Sequence, residues 1–158
     1  MRVAPTVAAR TRRPSLMVFI VALAVSAMLA KPAFAQVPNA RVFNGGAGLI
    51  LYTVKGDKTA DFEMVMNKTK EALAKSEKPE RKQQAAAWKV FKSADAGANG
   101  NLTYVMVIDP AVKDADYNVI NILNEAFPAE IQALFKAYTE SFASGLIPIN
   151  LAPVVDFK

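Results

Sequence analysis

Hydrophobic and polar positions alternate along the chain with two different periods. An apolar, β-branched run predicts a first strand over 48–55, and a 3.6-residue period predicts a helix over 59–76. Thr59 is the expected N-cap of this helix, which should stop before Pro79. The residues expected on its buried face are Phe62, Val65, Met66, Thr69 and Leu73.

Two further strands are predicted in the middle of the chain. After a polar connector over 78–84, apolar runs predict strands over 85–93 and 101–110. The Gly- and Asn-rich residues between them, 94–101, predict a hairpin loop.

Two helical patterns follow, over 114–127 and 128–145. Asp114 or Asp116 is expected near the cap of the first, and Gly145 is a suitable stop for the second. The apolar residues that share a face of the second helix are Ile131, Leu134, Phe135, Tyr138 and Phe142.

The last segment, 147–157, contains two prolines that confine it to an edge or an irregular strand. The order β-α-β-β-α-β predicts an α+β fold with the ferredoxin-like arrangement. This arrangement is a four-stranded antiparallel sheet with its helices on one face. The first and third strands are central in it, and the second and fourth are edges.

The two central strands are apolar on both faces, as LILYTV and LTYVMVI show. The helices cover only one face, and a sheet with a solvated second face alternates between apolar and polar residues. A second copy of the chain is the simplest cover, through an interface of roughly 1,500 Å² or more. The alternative is that the C-terminal tail of the same chain covers this face.

The layout resembles the dimeric α/β-barrel superfamily, and most closely its antibiotic-biosynthesis-monooxygenase-like domains. The stretches LILYTVKGDKTADFEMVMNKTKEAL, AWKVFKS and NLTYVMVIDP carry the resemblance, which spans most of residues 46–157. It implies a homodimer formed through the sheets, with a cleft between sheet and helices that holds a small hydrophobic ligand. Cofactor-independent monooxygenases of this family are thought to bind polyphenols through Asn, Trp, Tyr or Arg side chains. No catalytic residue of the family maps onto a matching motif in this chain.

The first 35 residues are predicted to be a signal peptide. A basic segment precedes an apolar run of 12 residues, 18–29, whereas a membrane-spanning helix needs about 20. Small residues at Ala33 and Ala35 predict cleavage before Gln36, and the alternative is an uncleaved anchor.

The leader also predicts the location of the mature chain. Arg12 and Arg13 partly match a twin-arginine signal, and an ordinary Sec signal is the equal alternative. The protein is therefore expected in the periplasm or outside the cell, with membrane contact only during export. The mature chain should comprise a flexible segment, 36–46, and a single domain, 47–158.

Charge and composition exclude several functions. The residues after position 35 carry twelve Lys and two Arg against fourteen Asp and Glu, so no basic patch for nucleic acid is evident. The chain has no His and no Cys, which excludes histidine-ligated haem, zinc clusters and catalytic triads. Asp109, Asp114 and Asp116 lack the calcium-loop pattern, and FNGGAGLI lacks the phosphate-loop ending. No catalytic residue, cofactor or metal is predicted.

Trp88 is the only tryptophan, and it either lines a ligand cleft or packs in the core or dimer interface. The tyrosines are either pocket residues or ordinary core residues with one hydrated end. The candidate ligand-pocket residues are Trp88, Tyr52, Tyr104, Phe62, Met66, Phe135 and Tyr138.

Two functions are consistent with this pattern. The favoured one is an exported, non-catalytic homodimer that binds a small hydrophobic ligand or serves a structural role. The alternative is a cofactor-independent monooxygenase or isomerase that acts on a small aromatic substrate. A closed cleft packed by Phe62, Met66, Trp88 and Phe135 would leave only the structural role.

Overall fold

The protein is described by a computed structural model, which covers residues 39–157. The predicted signal peptide and its cleavage site lie outside the described residues. The described chain is α+β, with four antiparallel strands and four α-helices. The strands are β1 (Ala47–Val54), β2 (Trp88–Ala96), β3 (Leu102–Ile108) and β4 (Ile147–Leu151), and the helices are α1 (Thr59–Lys75), α2 (Pro79–Ala87), α3 (Val119–Ala126) and α4 (Ile131–Ser141).

The four strands form one sheet in the order β2-β3-β1-β4, and every neighbouring pair is antiparallel. The prediction that the first and third strands are central is therefore confirmed. The element order departs from β-α-β-β-α-β, because two helices stand between β1 and β2 and two between β3 and β4.

Helix α2 corrects the predicted polar connector and the predicted start of the second strand. Residues 85–87 belong to this helix, and β2 begins at Trp88. Pro79 opens the helix, where its missing N–H costs no hydrogen bond. Arg81, Gln84 and Ala87, spaced three residues apart, form its buried side.

Arg81 explains how a polar helix can be buried. Its guanidinium Nη1 donates to Gln84 Oε1 at 2.8 Å and to the Asp116 carbonyl at 2.7 Å. Its Nη2 donates to Glu125 Oε2 at 3.1 Å. These bonds tie α2 to the loop before α3 and to α3 itself, and they replace the water that the charge loses.

The predicted start of α1 is wrong by one residue. Lys58 occupies the cap position without a side-chain cap bond, and Thr59 is the first helical residue. The helix ends at Lys75, before Pro79 as expected.

Helices α3 and α4 also differ from the sequence pattern. Asn118 caps α3, since its Oδ1 accepts the Ile120 amide at 3.0 Å, while Asp116 accepts the Asn118 amide at 2.8 Å. Helix α4 begins at Ile131 and ends at Ser141, so it is shorter than 128–145 at both ends.

The hairpin between β2 and β3 is confirmed. Asn99 and Gly100 have φ angles of 59° and 72°, the left-handed values that an Asn-Gly turn supplies at low cost. The Gly97 amide donates to the Asn101 carbonyl at 2.8 Å and closes the loop.

The segment before β1 packs against the domain. The Arg41 amide donates to Asp116 Oδ1 at 2.7 Å, and the Tyr117 amide donates to the Arg41 carbonyl at 2.8 Å. The ring of Phe43 is buried and lies edge-on to Tyr117, with 5.5 Å between centroids. Arg41 and Phe43, which make these contacts, belong to the segment 36–46 that was predicted to be flexible.

We expect Gly48→Ala to lower the free energy of unfolding by about 1–3 kcal/mol, because it overpacks a buried site. An added Cβ at Gly48 would lie 2.5 Å from two ring carbons of Phe43. Chemical denaturation measures the change. Gly145→Ala is the matched control, since a Cβ there meets nothing within 4 Å. Equal stability of the two variants would contradict this packing.

Candidate functional site

A cleft of about 230 Å³ lies between α1, α2 and the edge strand β2. The volume is below the roughly 300–1,000 Å³ of pockets that take drug-sized ligands, so it suits a smaller molecule. The residues that line it are Met66, Asn67, Thr69, Lys70, Leu73, Ala85, Trp88 and Val90.

The walls of the cleft are apolar because an apolar side of α1 and an apolar side of β2 both face it. Met66 and Leu73 are two turns apart on α1, so they point to one side. Trp88 and Val90 are two residues apart on β2, opposite Ile108 and Met106 of β3. All four side chains therefore face the layer between sheet and helices.

Trp88 is half-buried in this wall, and its ring meets Tyr117 edge-on, with 5.4 Å between centroids. Its indole Nε1 is buried, and no acceptor among the described residues reaches it. An unsatisfied buried donor costs about 1–3 kcal/mol. The described fold thus leaves this buried hydrogen-bond donor unused.

The polar residues of the cleft are donors rather than acids. Thr69 is already engaged, since its hydroxyl donates to the Val65 carbonyl at 2.9 Å. Asn67 and Lys70 are exposed on α1 and form part of the rim. None of the described lining residues is Asp or Glu.

An ion-paired cluster stands one helical turn beyond the cleft. Tyr104 Oη donates to Glu63 Oε1 at 2.5 Å, and Lys92 Nζ donates to the same oxygen at 3.0 Å. These hydrogen bonds lower the pKa of the Glu63 carboxyl, while burial and Glu63 raise the pKa of Tyr104. The cluster joins α1 to β2 and β3 at this end.

The structure separates the seven candidate pocket residues into three groups. Met66 and Trp88 line the cleft together. Phe135 is 44% exposed on α4. The other four form an aromatic cluster in the core between sheet and helices, namely Tyr52, Phe62, Tyr104 and Tyr138.

The aromatic cluster is packed rather than open. Phe62 lies 4.6 Å from Tyr104 and 5.2 Å from Tyr52, measured between ring centroids. Tyr138 Oη donates to Tyr52 Oη at 3.3 Å, and Tyr52 Oη donates to Met106 Sδ at 3.8 Å. Buried hydroxyls thus find partners within the core.

Alkaline pH should destabilise the fold through these buried tyrosines. Burial raises the pKa of Tyr52 from 10.0 to about 12, and burial also raises the pKa of Tyr138. A raised pKa means that the folded state favours the neutral phenol. The stability that this phenol contributes is fully present below its pKa in the unfolded state, and it is lost as the pH rises from that value to the pKa in the folded state. Tyr52 alone should lose roughly 2–3 kcal/mol between about pH 10 and pH 12.

Urea denaturation at a series of pH values measures this loss. Tyr52→Phe should be less sensitive over the same interval, since it removes one buried phenol. An equal fall in stability for the variant and the unmodified protein would contradict the assignment to Tyr52.

Sequence reasoning missed several residues that complete the cleft. Asn67, Lys70 and Ala85 belong to the lining, yet none was singled out. Spacing alone could have found Lys70, which lies four residues from Met66 and three from Leu73 on one helical side. Ala85 could not have been found, because the helix that carries it was not predicted.

A second feature is the sheet face that turns away from the helices. In register, Phe91, Val105, Leu51 and Ile147 form a row across all four strands. Phe91 is 54% exposed and Ile147 is 57% exposed. The other apolar residues of this face are Ala47, Leu49, Val107, Ile149 and Leu151, and Lys89 of β2 lies opposite Val107.

The C-terminal tail leaves this face open. Beyond β4, Val154 is 93% exposed and Phe157 is 96% exposed, so neither packs on the sheet. The alternative cover considered from the sequence is therefore wrong for the described tail residues.

Neither a metal cluster nor a membrane span was found in the described part of the chain. No group of three or more Asp, Glu, His or Cys residues could hold a metal ion there. No helix within 39–157 is long and apolar enough to cross a bilayer. Comparison with family models, with curated proteins and with solved structures finds no match.

Proposed function

We propose that this chain is a non-catalytic binding module that takes a small hydrophobic ligand in the Trp88 cleft and acts as a homodimer. The apolar cleft between α1, α2 and β2 carries the proposal, because concave apolar sites with a few polar groups are typical of ligand pockets. Predicted export would place this module in the periplasm or outside the cell.

The open sheet face supports the homodimer. One of its rows is apolar across all four strands and the next across three, with Lys89 at the β2 edge, and exposed apolar patches of this kind mark interaction sites. A second copy supplies an equally apolar face, and self-complementary contacts are the rule in two-fold dimers. The ferredoxin-like arrangement and the dimeric α/β-barrel resemblance agree with pairing through the sheets. The cleft lies on the helix side, so pairing leaves it accessible.

The alternative is a cofactor-independent monooxygenase or isomerase, which needs a reactive group that faces the cleft. The nearest titratable cluster, formed by Glu63, Lys92 and Tyr104, is bonded within itself. Binding without chemistry therefore has the better support.

Intrinsic fluorescence tests the ligand proposal, since Trp88 is the only tryptophan. We expect octan-1-ol, a small neutral amphiphile, to change the Trp88 emission saturably. Met66→Ala should weaken binding by about threefold to tenfold, since it removes a wall of the cleft. Phe135→Ala is the matched control and should leave binding unchanged, because Phe135 lies outside the lining. Unchanged emission in the unmodified protein, across all octan-1-ol concentrations, would contradict the proposal.

A further inference from the structure

We propose that the Trp88 cleft selects small apolar anions, with Lys70 holding the anionic head group at the rim; this inference rests on the proposed function. The chemical class is a short aliphatic or single-ring body joined to one anionic group.

Lys70 is placed to meet such a head group. It lies four residues after Met66 and three before Leu73 on α1, so it shares their side of the helix. Met66 and Leu73 form part of the apolar wall of the cleft, and Lys70 itself is exposed. A ligand body between the walls would therefore bring its head group near this ammonium.

Lys70 is also the lysine of α1 that remains uncommitted within the described chain. Lys75 Nζ lies 2.6 Å from Glu71, and Lys68 Nζ lies 3.3 Å from Glu130 and 3.7 Å from Glu71. These pairs run along a different side of α1. Among residues 39–157, Lys70 makes no ion pair.

The other polar residues of the described lining do not oppose an anion. Asn67 offers an amide at the rim. With no carboxylate in the described lining, an anion meets the Asn67 amide and the Lys70 ammonium, and a ligand cation meets repulsion from Lys70. Lysine binds as a point charge rather than as a planar fork, so the site discriminates by charge more than by head-group shape.

Three eight-carbon probes isolate the charge. Octanoate should bind about threefold to tenfold more tightly than octan-1-ol, which is the range of a partly solvated charge-assisted hydrogen bond. Octylammonium should bind more weakly than octan-1-ol. Trp88 emission reports all three dissociation constants.

Two variants assign the preference to Lys70. Lys70→Gln should remove the advantage of octanoate over octan-1-ol, so that the two probes bind the variant with equal dissociation constants. Lys82→Gln, a change at an exposed lysine of α2 outside the lining, should preserve the advantage.

The outcomes separate this inference from the proposed function. Equal binding of octanoate and octan-1-ol, or an advantage that survives Lys70→Gln, would overturn the role of Lys70 and leave the apolar cleft standing. Binding of none of the three probes would overturn the proposed function and the inference together.

Discussion

Leu51→Glu should convert the proposed dimer into a folded monomer, with a dissociation constant raised by about 100-fold or more, because each copy would bury an unpaired carboxylate in the interface. Leu51 lies at the centre of the open sheet face, between Val105 on β3 and Ile147 on β4. It is half-exposed within one copy, so the monomer itself should keep its fold. Light scattering over a range of protein concentrations gives the mass, and circular dichroism gives the fold.

The same charge placed away from the sheet face distinguishes disruption of the interface from a general effect of added charge. Ala74→Glu places the same side chain on an exposed position of α1 and should leave the proposed dimer intact. Val105→Glu, on the same sheet face, should reproduce the effect of Leu51→Glu. A dimer that persists in both face variants would place the interface elsewhere on the chain.

Phe62→Ala should lower the free energy of unfolding by about 3–5 kcal/mol, as large-to-small changes of buried aromatic residues do. Phe62 is fully buried and contacts the rings of Tyr52, Tyr104 and Tyr138. The loss combines removed apolar burial with the cavity that the neighbouring rings fail to fill. Chemical denaturation measures it.

Met66→Ala is the control for this prediction, because Met66 lies half-buried in the cleft rather than in the core. We expect it to cost only about 1 kcal/mol of stability, since solvent already reaches the site. If Phe62→Ala cost no more than Met66→Ala, Phe62 would belong to an open pocket and not to the core.

The strands of the fold could be predicted from the sequence because their apolar runs are long and strongly patterned. The doubly apolar strands β1 and β3 correctly indicated a central position in the sheet. Helix α2 was missed because its buried side consists of Arg81, Gln84 and Ala87. A hydrophobic period cannot reveal a helix whose burial depends on hydrogen bonds to a distant loop.

The candidate site could be predicted only in part, for a related reason. Apolar type and spacing identified Met66 and Trp88, but they did not distinguish the cleft from the core. Tyr52 and Tyr138 resemble pocket tyrosines in sequence, yet their hydroxyls bond to each other inside the core. That distinction depends on how tightly α1 and α4 pack, which residue identity alone does not specify.

The most direct test of the Trp88 cleft is the nuclear magnetic resonance signal of its indole N–H, the only such signal in this chain. We expect this signal and the Met66 methyl signal to shift saturably as octan-1-ol is added. The methyl signals of Leu51 and Val105, on the sheet face, should stay in place. An indole signal that does not shift, together with shifts confined to residues of the sheet face, would contradict ligand binding in the cleft.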